Sequence, residues 1–392
     1  MTTTPKRPVY LDNHATTPVD PRVLEKMLPF FTDAFGNASS TDHEHGNEAH
    51  AAVETARGHV ARTIGADAKE IVFTSGATES INLALIGVAE SRQADGRHIV
   101  TSVIEHPAVL DTCGYLESRG WEVTYLPVDA SGLHDPAQFA AVIRSDTVLV
   151  SVMAANNEIG VIQPLREIAD VAHAAGAWFH TDATQAVSYT RIDVRDLGVD
   201  LLSFSSHKVY GPKGVGALFV RRTHPRVRVL RQVHGGGHER GLRSGTLNVA
   251  GVVGFGEAAA LTVSERTTET ARVRALRDAL LAGLRDEVDG VMVNGDIECR
   301  LPNNLNVAIA DVESRSLLPQ VSSAISVSLG SACATGSVSP SHVIRALGFG
   351  DERAHRSVRF GIGRFNTHDD IGVAVRAIAE ATSRVRRLGN HG

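Results

Sequence analysis

The chain alternates short apolar runs with turn and helix segments between residues 70 and 220, and this alternation strongly limits the folds that it can adopt. Ile71 to Thr74 predicts a buried strand, from which a tight turn leads into a helix over Glu79 to Ala89. Further strands are predicted at Val148 to Met153, Ala177 to Thr181 and Leu201 to Phe204. Strands that alternate with helices are typical of a mainly parallel sheet covered by helices. The sequence therefore predicts an α/β fold.

The length of the chain predicts a second domain. With 392 residues it exceeds what one hydrophobic core usually serves. Beyond about residue 260 the pattern changes to a long charged helix, Ser264 to Glu287, and then to mixed elements up to a helix from Asp369. A short strand at Val9 to Asp12 is expected to rejoin this part. We assign residues 17–260 to a large domain and residues 1–16 and 261–392 to a smaller α+β domain.

Charge and composition exclude several classes of function. The formal net charge of -5 argues against broad binding to nucleic acid or to an anionic membrane. The longest apolar runs fall short of the about 20 residues that a membrane span needs. The polar N-terminus lacks the apolar stretch of a secretory signal, so a cytoplasmic protein without disulfides is expected.

Polar residues gather where the predicted strands end, and ligands of open α/β sheets bind there. Lys208 follows one strand in a glycine-containing segment and can form a Schiff base, whereas Asp182 follows another and can pair with a pyridinium nitrogen. The turn from Ser75 to Thr78 precedes a helix and offers donors to a phosphate. Taken singly, these residues are more often a solvated charge, a cap and a plain turn. Together they predict a site for a phosphate-bearing pyridine cofactor.

Extended motifs stand in a fixed order along nearly the whole chain. They are Tyr10 to Asp12 with Ala15 to Pro18, Phe73 to Glu79, Asn156 to Gly160, His180 to Gln185, Ser205 to Gly214, His234 to Glu239 and Gly330 to Cys333. In this order they resemble the cysteine desulfurases of the class V aminotransferase group, and such a set is far more specific than a single short pattern. The resemblance implies the type I fold of pyridoxal-phosphate-dependent transferases, with two domains in each subunit.

The resemblance also implies how pyridoxal 5'-phosphate is held in the large domain. Lys208 is expected to bind the cofactor covalently, Asp182 its ring nitrogen and Gln185 its phenolic oxygen, while His106 stacks on the ring. The expected phosphate ligands are Ala77, Thr78, Ser205 and His207, joined by Thr246 from the partner subunit of a homodimer.

The implied reaction converts L-cysteine to L-alanine and leaves the sulfur on Cys333, for transfer to an unidentified acceptor protein. Asn157 and Arg359 are expected to hold the substrate carboxylate, a task that suits a planar guanidinium. Lys208, His106 and Cys333 are the expected catalytic residues, with Lys208 as the proton carrier. The segment around Cys333 is rich in small residues and predicts a loop of the smaller domain rather than core packing.

The other two cysteines are given no role in this prediction. Cys113 lies beside leucines in a predicted helix and is expected to pack in a core, whereas Cys299 stands in a charged loop. The histidines near the N-terminus, among them His43 and His45, complete no metal-ligand spacing, so no metal site is predicted.

Other functions are compatible with parts of the sequence. A selenocysteine lyase or an aminotransferase shares the cofactor residues, and only Cys333 and its loop distinguish a desulfurase from these enzymes. A scaffold that has lost its chemistry shares the fold, but the presence of Lys208, Asp182, His106, Cys333 and Arg359 together argues against it. A nucleotide-binding module is disfavoured, because no Walker-type or dinucleotide fingerprint follows a strand. The sequence does not identify the process that receives the sulfur, which can be the synthesis of iron–sulfur clusters, tRNA thiolation, DNA sulfur modification or the synthesis of a secondary metabolite. Ser206, His14 and Leu329 depart from the family pattern.

Overall fold

The structure is a computed structural model that describes residues 7–223, 225–329 and 340–389. Cys333 and the rest of its motif lie outside the described residues. Within these ranges, none of the helices combines the length and the apolar composition that would let it cross a membrane.

The described residues form strands and helices that alternate along much of the chain. The strands are β1 (Val9–Tyr10), β2 (Ile71–Thr74), β3 (His98–Ser102), β4 (Glu122–Leu126), β5 (Thr147–Ser151), β6 (Trp178–Asp182), β7 (Leu201–Ser205), β8 (Gly216–Val220), β9 (Val291–Val293), β10 (Asn304–Ile309), β11 (Ile325–Ser326) and β12 (Ser357–Gly361). The helices are α1 (Pro21–Met27), α2 (Pro29–Thr32), α3 (Glu44–Thr63), α4 (Ala77–Arg92), α5 (Pro107–Ser118), α6 (Pro136–Val142), α7 (Leu165–Ala174), α8 (Val249–Glu287), α9 (Ser314–Val321), α10 (His342–Ala346), α11 (Gly350–His355) and α12 (His368–Gly389).

A seven-stranded sheet with the order β2-β8-β7-β6-β5-β3-β4 dominates the fold. Strands β7, β6, β5, β3 and β4 run parallel to one another, and β8 is antiparallel to both of its neighbours. The predicted mainly parallel sheet is therefore confirmed. Parallel strands end at a common edge, so the polar residues after them come together.

The large sheet buries both of its faces. Leu149 and Leu201 pack with α4 and α5 on one face, while the adjacent Val150 and Leu202 pack with α3, α7 and the first part of α8 on the other. This alternation follows from the two-residue period of a strand, and two buried faces are typical of parallel sheets covered by helices.

A second core forms around the three-stranded antiparallel sheet β12-β10-β9. Its residues include Leu276 of α8, Val307 of β10 and Ile378 of α12. Strand β1 pairs with β11, so the N-terminal strand joins this part of the molecule as expected. The predicted boundary after residue 260 falls within the continuous helix α8, and the domain limits stay a prediction.

Candidate active site

A cavity of about 470 Å³ lies at the carboxyl ends of the central strands of the large sheet. Segments that follow β2, β3, β5, β6 and β7 form its walls. The structure thus brings together, from distant parts of the chain, most of the predicted site residues. Those in its lining are Ala77, Thr78, His106, Asn157, Asp182, Gln185, Ser205, His207 and Lys208.

The amino-terminal end of α4 forms one wall of this cavity. Gly76 occupies the N-cap position and, as a glycine, supplies no side-chain cap. A Cβ placed on Gly76 would lie 3.9 Å from Ser205 Oγ, so that hydroxyl group stands close to the start of the helix. Backbone N–H groups without intrahelical partners, together with the helix dipole, favour an anion at this point. This end of the cavity is therefore suited to a phosphate.

Lys208 lines the cavity and ends a 3-10 helix, Ser206–Lys208, that follows β7 directly. Its Nζ donates to the backbone oxygen of Ala15 at 2.8 Å and also to that of His14. Ser188 Oγ donates to the backbone oxygen of Lys208 at 2.7 Å. These contacts fix the amine at the cavity wall.

His207, beside Lys208, is a neutral member of the site. Burial, with smaller contributions from the charges of Lys208 and Lys213, lowers the pKa of its imidazole to about 4. Its Nδ1 lies 3.1 Å from Thr16 Oγ1. Near neutral pH, His207 therefore interacts with an anion by hydrogen bonding rather than by charge.

Asp182 is the last residue of β6 and faces the cavity while only 6% exposed. Its Oδ1 accepts the backbone N–H of Thr184 at 2.9 Å, which orients the carboxyl group. Thr184 also lines the cavity, and its Oγ1 is buried without a hydrogen-bond partner among the described residues. Sequence reasoning missed Thr184. Its place inside the Asp182 to Gln185 motif was the signal that could have found it.

His106 caps the start of α5. Its Nδ1 accepts the backbone N–H of Ala108 at 3.1 Å, so in the neutral ring the proton is assigned to Nε2. The preceding Glu105 is fully buried, and burial raises the pKa of its carboxyl group well above the usual range. Glu105 Oε1 accepts the backbone N–H of Met153 at 2.6 Å, which connects the His106 segment to another cavity wall.

Gln185 is held by His14, a residue that the sequence marked only as a departure from the family pattern. Gln185 Nε2 donates to the backbone oxygen of His14 at 3.1 Å, and its Oε1 lies 2.9 Å from His14 Nδ1. Burial, together with the charges of Arg359 and Lys208, lowers the pKa of His14 to about 3. His14 is therefore a neutral, buried neighbour of the site.

Two predicted residues lie apart from the cavity surface. Arg359 is 2% exposed and donates to Asp12 Oδ1 at 2.8 Å and to the backbone oxygen of Asn157 at 2.9 Å. Among the described residues, the cavity lining includes Asn157 but neither Arg359 nor Thr246. Thr246 is exposed to solvent. The structure thus brings Arg359 to Asn157, and Thr246 is not among the residues that line this cavity.

The two described cysteines lie where the sequence predicts them. Cys113 is fully buried in α5, as predicted for a packing residue, and Cys299 is exposed in the loop between β9 and β10. His43 Nδ1 accepts the backbone N–H of Gly46 and caps α3. Within the described ranges, no group of three His, Cys, Asp or Glu side chains is placed to hold a metal ion.

The sequence of the chain matches a known protein family. The family described as aminotransferase class-V matches residues 9–373. The chain belongs to this family. Among class-V aminotransferases, one relative is the protein named cysteine desulfurase IscS of Anaeromyxobacter dehalogenans (strain 2CP-C), which is 54% identical over 98% of this chain and 94% of its own length. A protein of the same name from Methylococcus capsulatus (strain ATCC 33009 / NCIMB 11132 / Bath) is also 54% identical, with the same coverage of both chains.

Solved structures of class-V relatives agree with the fold. A NifS-like protein matches 96% of this chain and 99% of its own with a TM-score of 0.89 at 38% identity. The structure of SspA in complex with cysteine matches 92% of this chain and 100% of its own, with a TM-score of 0.80 at 38% identity. The fold implied by the sequence motifs, a large mainly parallel sheet with a smaller α+β part, is confirmed.

Proposed function

We propose that this chain is a pyridoxal-phosphate-dependent cysteine desulfurase that moves the sulfur of L-cysteine to Cys333 and releases L-alanine. The observation that carries the proposal is the cavity in which Lys208, Asp182 and the uncapped start of α4 converge. The 54% identity to a protein named cysteine desulfurase over almost the full length of both chains supports the same reaction. Residues 17–260 form the cofactor domain in this proposal, and residues 1–16 with 261–392 form the domain that carries Cys333.

The chemistry of the cavity fits pyridoxal phosphate. The start of α4 with Ser205 and His207 suits the phosphate, Asp182 suits a ring nitrogen, and Lys208 supplies an amine in the same cavity. The buried Thr184 hydroxyl, which lacks a partner among the described residues, gives one more donor for a polar ligand group. When bound, this cofactor supplies an electron sink that stabilises negative charge on the substrate carbon.

Different residues of the chain have different roles in the proposed reaction. Lys208 would move the proton of the substrate Cα through its Nζ, which the carbonyl groups of His14 and Ala15 hold beside the cavity. Asn157 at the cavity surface, with Arg359 behind it, is the proposed anchor of the substrate carboxylate.

The sulfur transfer balances without an added oxidant. An S–S bond forms between Cys333 and the substrate sulfur while the substrate C–S bond breaks, and its electron pair stays on carbon and takes up a proton. The products are L-alanine and a persulfide on Cys333, which passes its outer sulfur to an acceptor protein.

We expect purified protein with dithiothreitol to convert L-cysteine into equal amounts of alanine and sulfide, because the reductant releases the outer sulfur of the persulfide. Alanine is measured by chromatography and sulfide by methylene blue formation, with L-selenocysteine assayed in parallel. Turnover of L-selenocysteine alone would identify a lyase. Transfer of the amino group to a 2-oxo acid without sulfide would identify an aminotransferase.

We expect the protein to be a homodimer in solution, with Thr246 of each subunit at the cavity of the other. Thr246 is exposed in its own subunit, and the neighbouring Arg243 pairs with Glu79 in the first turn of α4 at 2.8 Å, which fixes the segment. Sedimentation equilibrium should give about twice 41.7 kDa. A monomer with full activity would contradict the shared site.

A further inference from the structure

His14 and Gln185 form a contact of two hydrogen bonds at the wall of the cofactor cavity. The backbone oxygen of His14 accepts from Gln185 Nε2 at 3.1 Å, and His14 Nδ1 lies 2.9 Å from Gln185 Oε1. His14 is 2% exposed, whereas Gln185 lines the cavity. The imidazole thus lies behind an amide that faces the ligand.

The bonding pattern fixes which way the Gln185 amide points. A backbone carbonyl only accepts hydrogen bonds, so the nitrogen of the amide must face it, and the oxygen must face His14 Nδ1. An amide oxygen also only accepts, so the proton of the neutral His14 ring is assigned to Nδ1. One hydrogen of Gln185 Nε2 is used by the carbonyl. The second remains for a ligand in the cavity.

Close packing limits the positions open to His14. A Cβ placed on Gly361 of β12 would come within 2.7 Å of the His14 backbone nitrogen and 2.9 Å of its Cδ2. The backbone oxygen of His14 also accepts from Lys208 Nζ. One residue therefore contacts both the amide and the amine of the site, from a position that neighbouring backbone restricts.

We propose that His14 is a positioning residue, which holds the Gln185 amide with its nitrogen available as a donor to the phenolic oxygen of the cofactor. This inference rests on the proposed function. Without the imidazole donor, the Gln185 amide keeps its hydrogen bond to the His14 backbone oxygen but loses the second contact, at Oε1, that holds its plane, so its nitrogen is positioned less firmly as a donor. A donor to the phenolic oxygen stabilises the anionic form of the chromophore bound to Lys208 and so lowers the pH at which that chromophore loses its proton.

The test is a pH titration of visible absorbance in the holoenzyme. His14→Ala leaves a cavity and His14→Leu fills it, yet both remove the donor, so both should raise the titration midpoint by roughly half to one pH unit. His14→Asn places an amide N–H near the position of Nδ1 and should restore the wild-type midpoint. In a Gln185→Leu background, His14→Leu should add no further shift.

A matched control separates positioning from packing. His98 is another fully buried histidine, bonded to Thr147 and Thr124 at the start of β3, the end of that strand remote from the cavity. His98→Leu should lower thermal stability without moving the midpoint. The inference is overturned if His14→Ala and His14→Leu leave the midpoint unchanged, if His14→Asn fails to restore it, or if the shift persists without Gln185. A protein that forms no chromophore on Lys208 would instead contradict the proposed function.

Discussion

Lys208→Ala should lower turnover of L-cysteine by at least about 10³-fold, because one residue then loses both its covalent attachment to the cofactor and its proton-transfer role. The wild-type protein should be yellow, and borohydride reduction should leave the cofactor on the peptide that contains Lys208. The variant should show no such adduct. The measurements are a visible spectrum, peptide mapping by mass spectrometry and alanine production.

Lys213 provides a matched control for this experiment. It also lines the cavity, but it lies more exposed and beyond the turn that follows Lys208. Lys213→Ala should therefore keep the covalent adduct on Lys208 and retain most of the turnover. A reduced cofactor on Lys213, or an adduct that survives in Lys208→Ala, would show that the lysine was assigned wrongly.

The sequence could place Asp182, Lys208 and the start of α4 at one edge of the sheet because their positions depend on local patterns. Asp182 and Lys208 each stand just where a predicted strand ends, and the structure places them at one edge of the sheet. The start of α4 corresponds to the tight turn that the sequence predicts before a helix. The parallel connection of the strands then brings these separate ends together, so the cavity follows from the fold class.

Local sequence patterns do not predict contacts between segments that are distant along the chain. His14 meets Gln185 across 171 positions, and Arg359 meets Asp12 across 347. The periodicity of apolar residues does not predict which remote loops contact each other. His14 could be seen only as an unusual residue in its motif, and its contact with the amide needed the packed structure.

The start of α8 was predicted too late for a related reason. The helix was expected from Ser264, but it begins at Val249 and includes an apolar stretch with several glycines. Glycine normally weakens a helix, yet a Cβ on Gly256 would lie 2.5 Å from Ala56 Cα in α3, and one on Gly254 would lie 2.5 Å from Met27 Sδ. These glycines allow close contact with α1 and α3. Tertiary packing therefore outweighs local propensity here.

Cys333→Ser should stop sulfur transfer while leaving the earlier steps intact. Binding of L-cysteine and removal of its Cα proton depend on Lys208 and the cofactor, so the visible spectrum should still change when the substrate is added. Alanine and sulfide production should fall by at least about 10³-fold, because a serine hydroxyl is a far poorer nucleophile than a thiol of pKa about 8.5. Rapid-mixing spectroscopy and alanine assays measure the two stages separately.

The location of the transferred sulfur gives an independent measure of the same step. Wild-type protein treated with L-cysteine in the absence of reductant should carry one additional sulfur atom on the peptide that contains Cys333, detectable by mass spectrometry. Cys299 is an exposed thiol, so Cys299→Ala is the matched control and should keep wild-type turnover. Cys113 should stay unmodified, because burial raises the pKa of its thiol to about 12 and little thiolate is present. If the added sulfur appeared on Cys299, or if Cys333→Ser made alanine at the wild-type rate, sulfur would leave the substrate without passing through Cys333, as in a lyase.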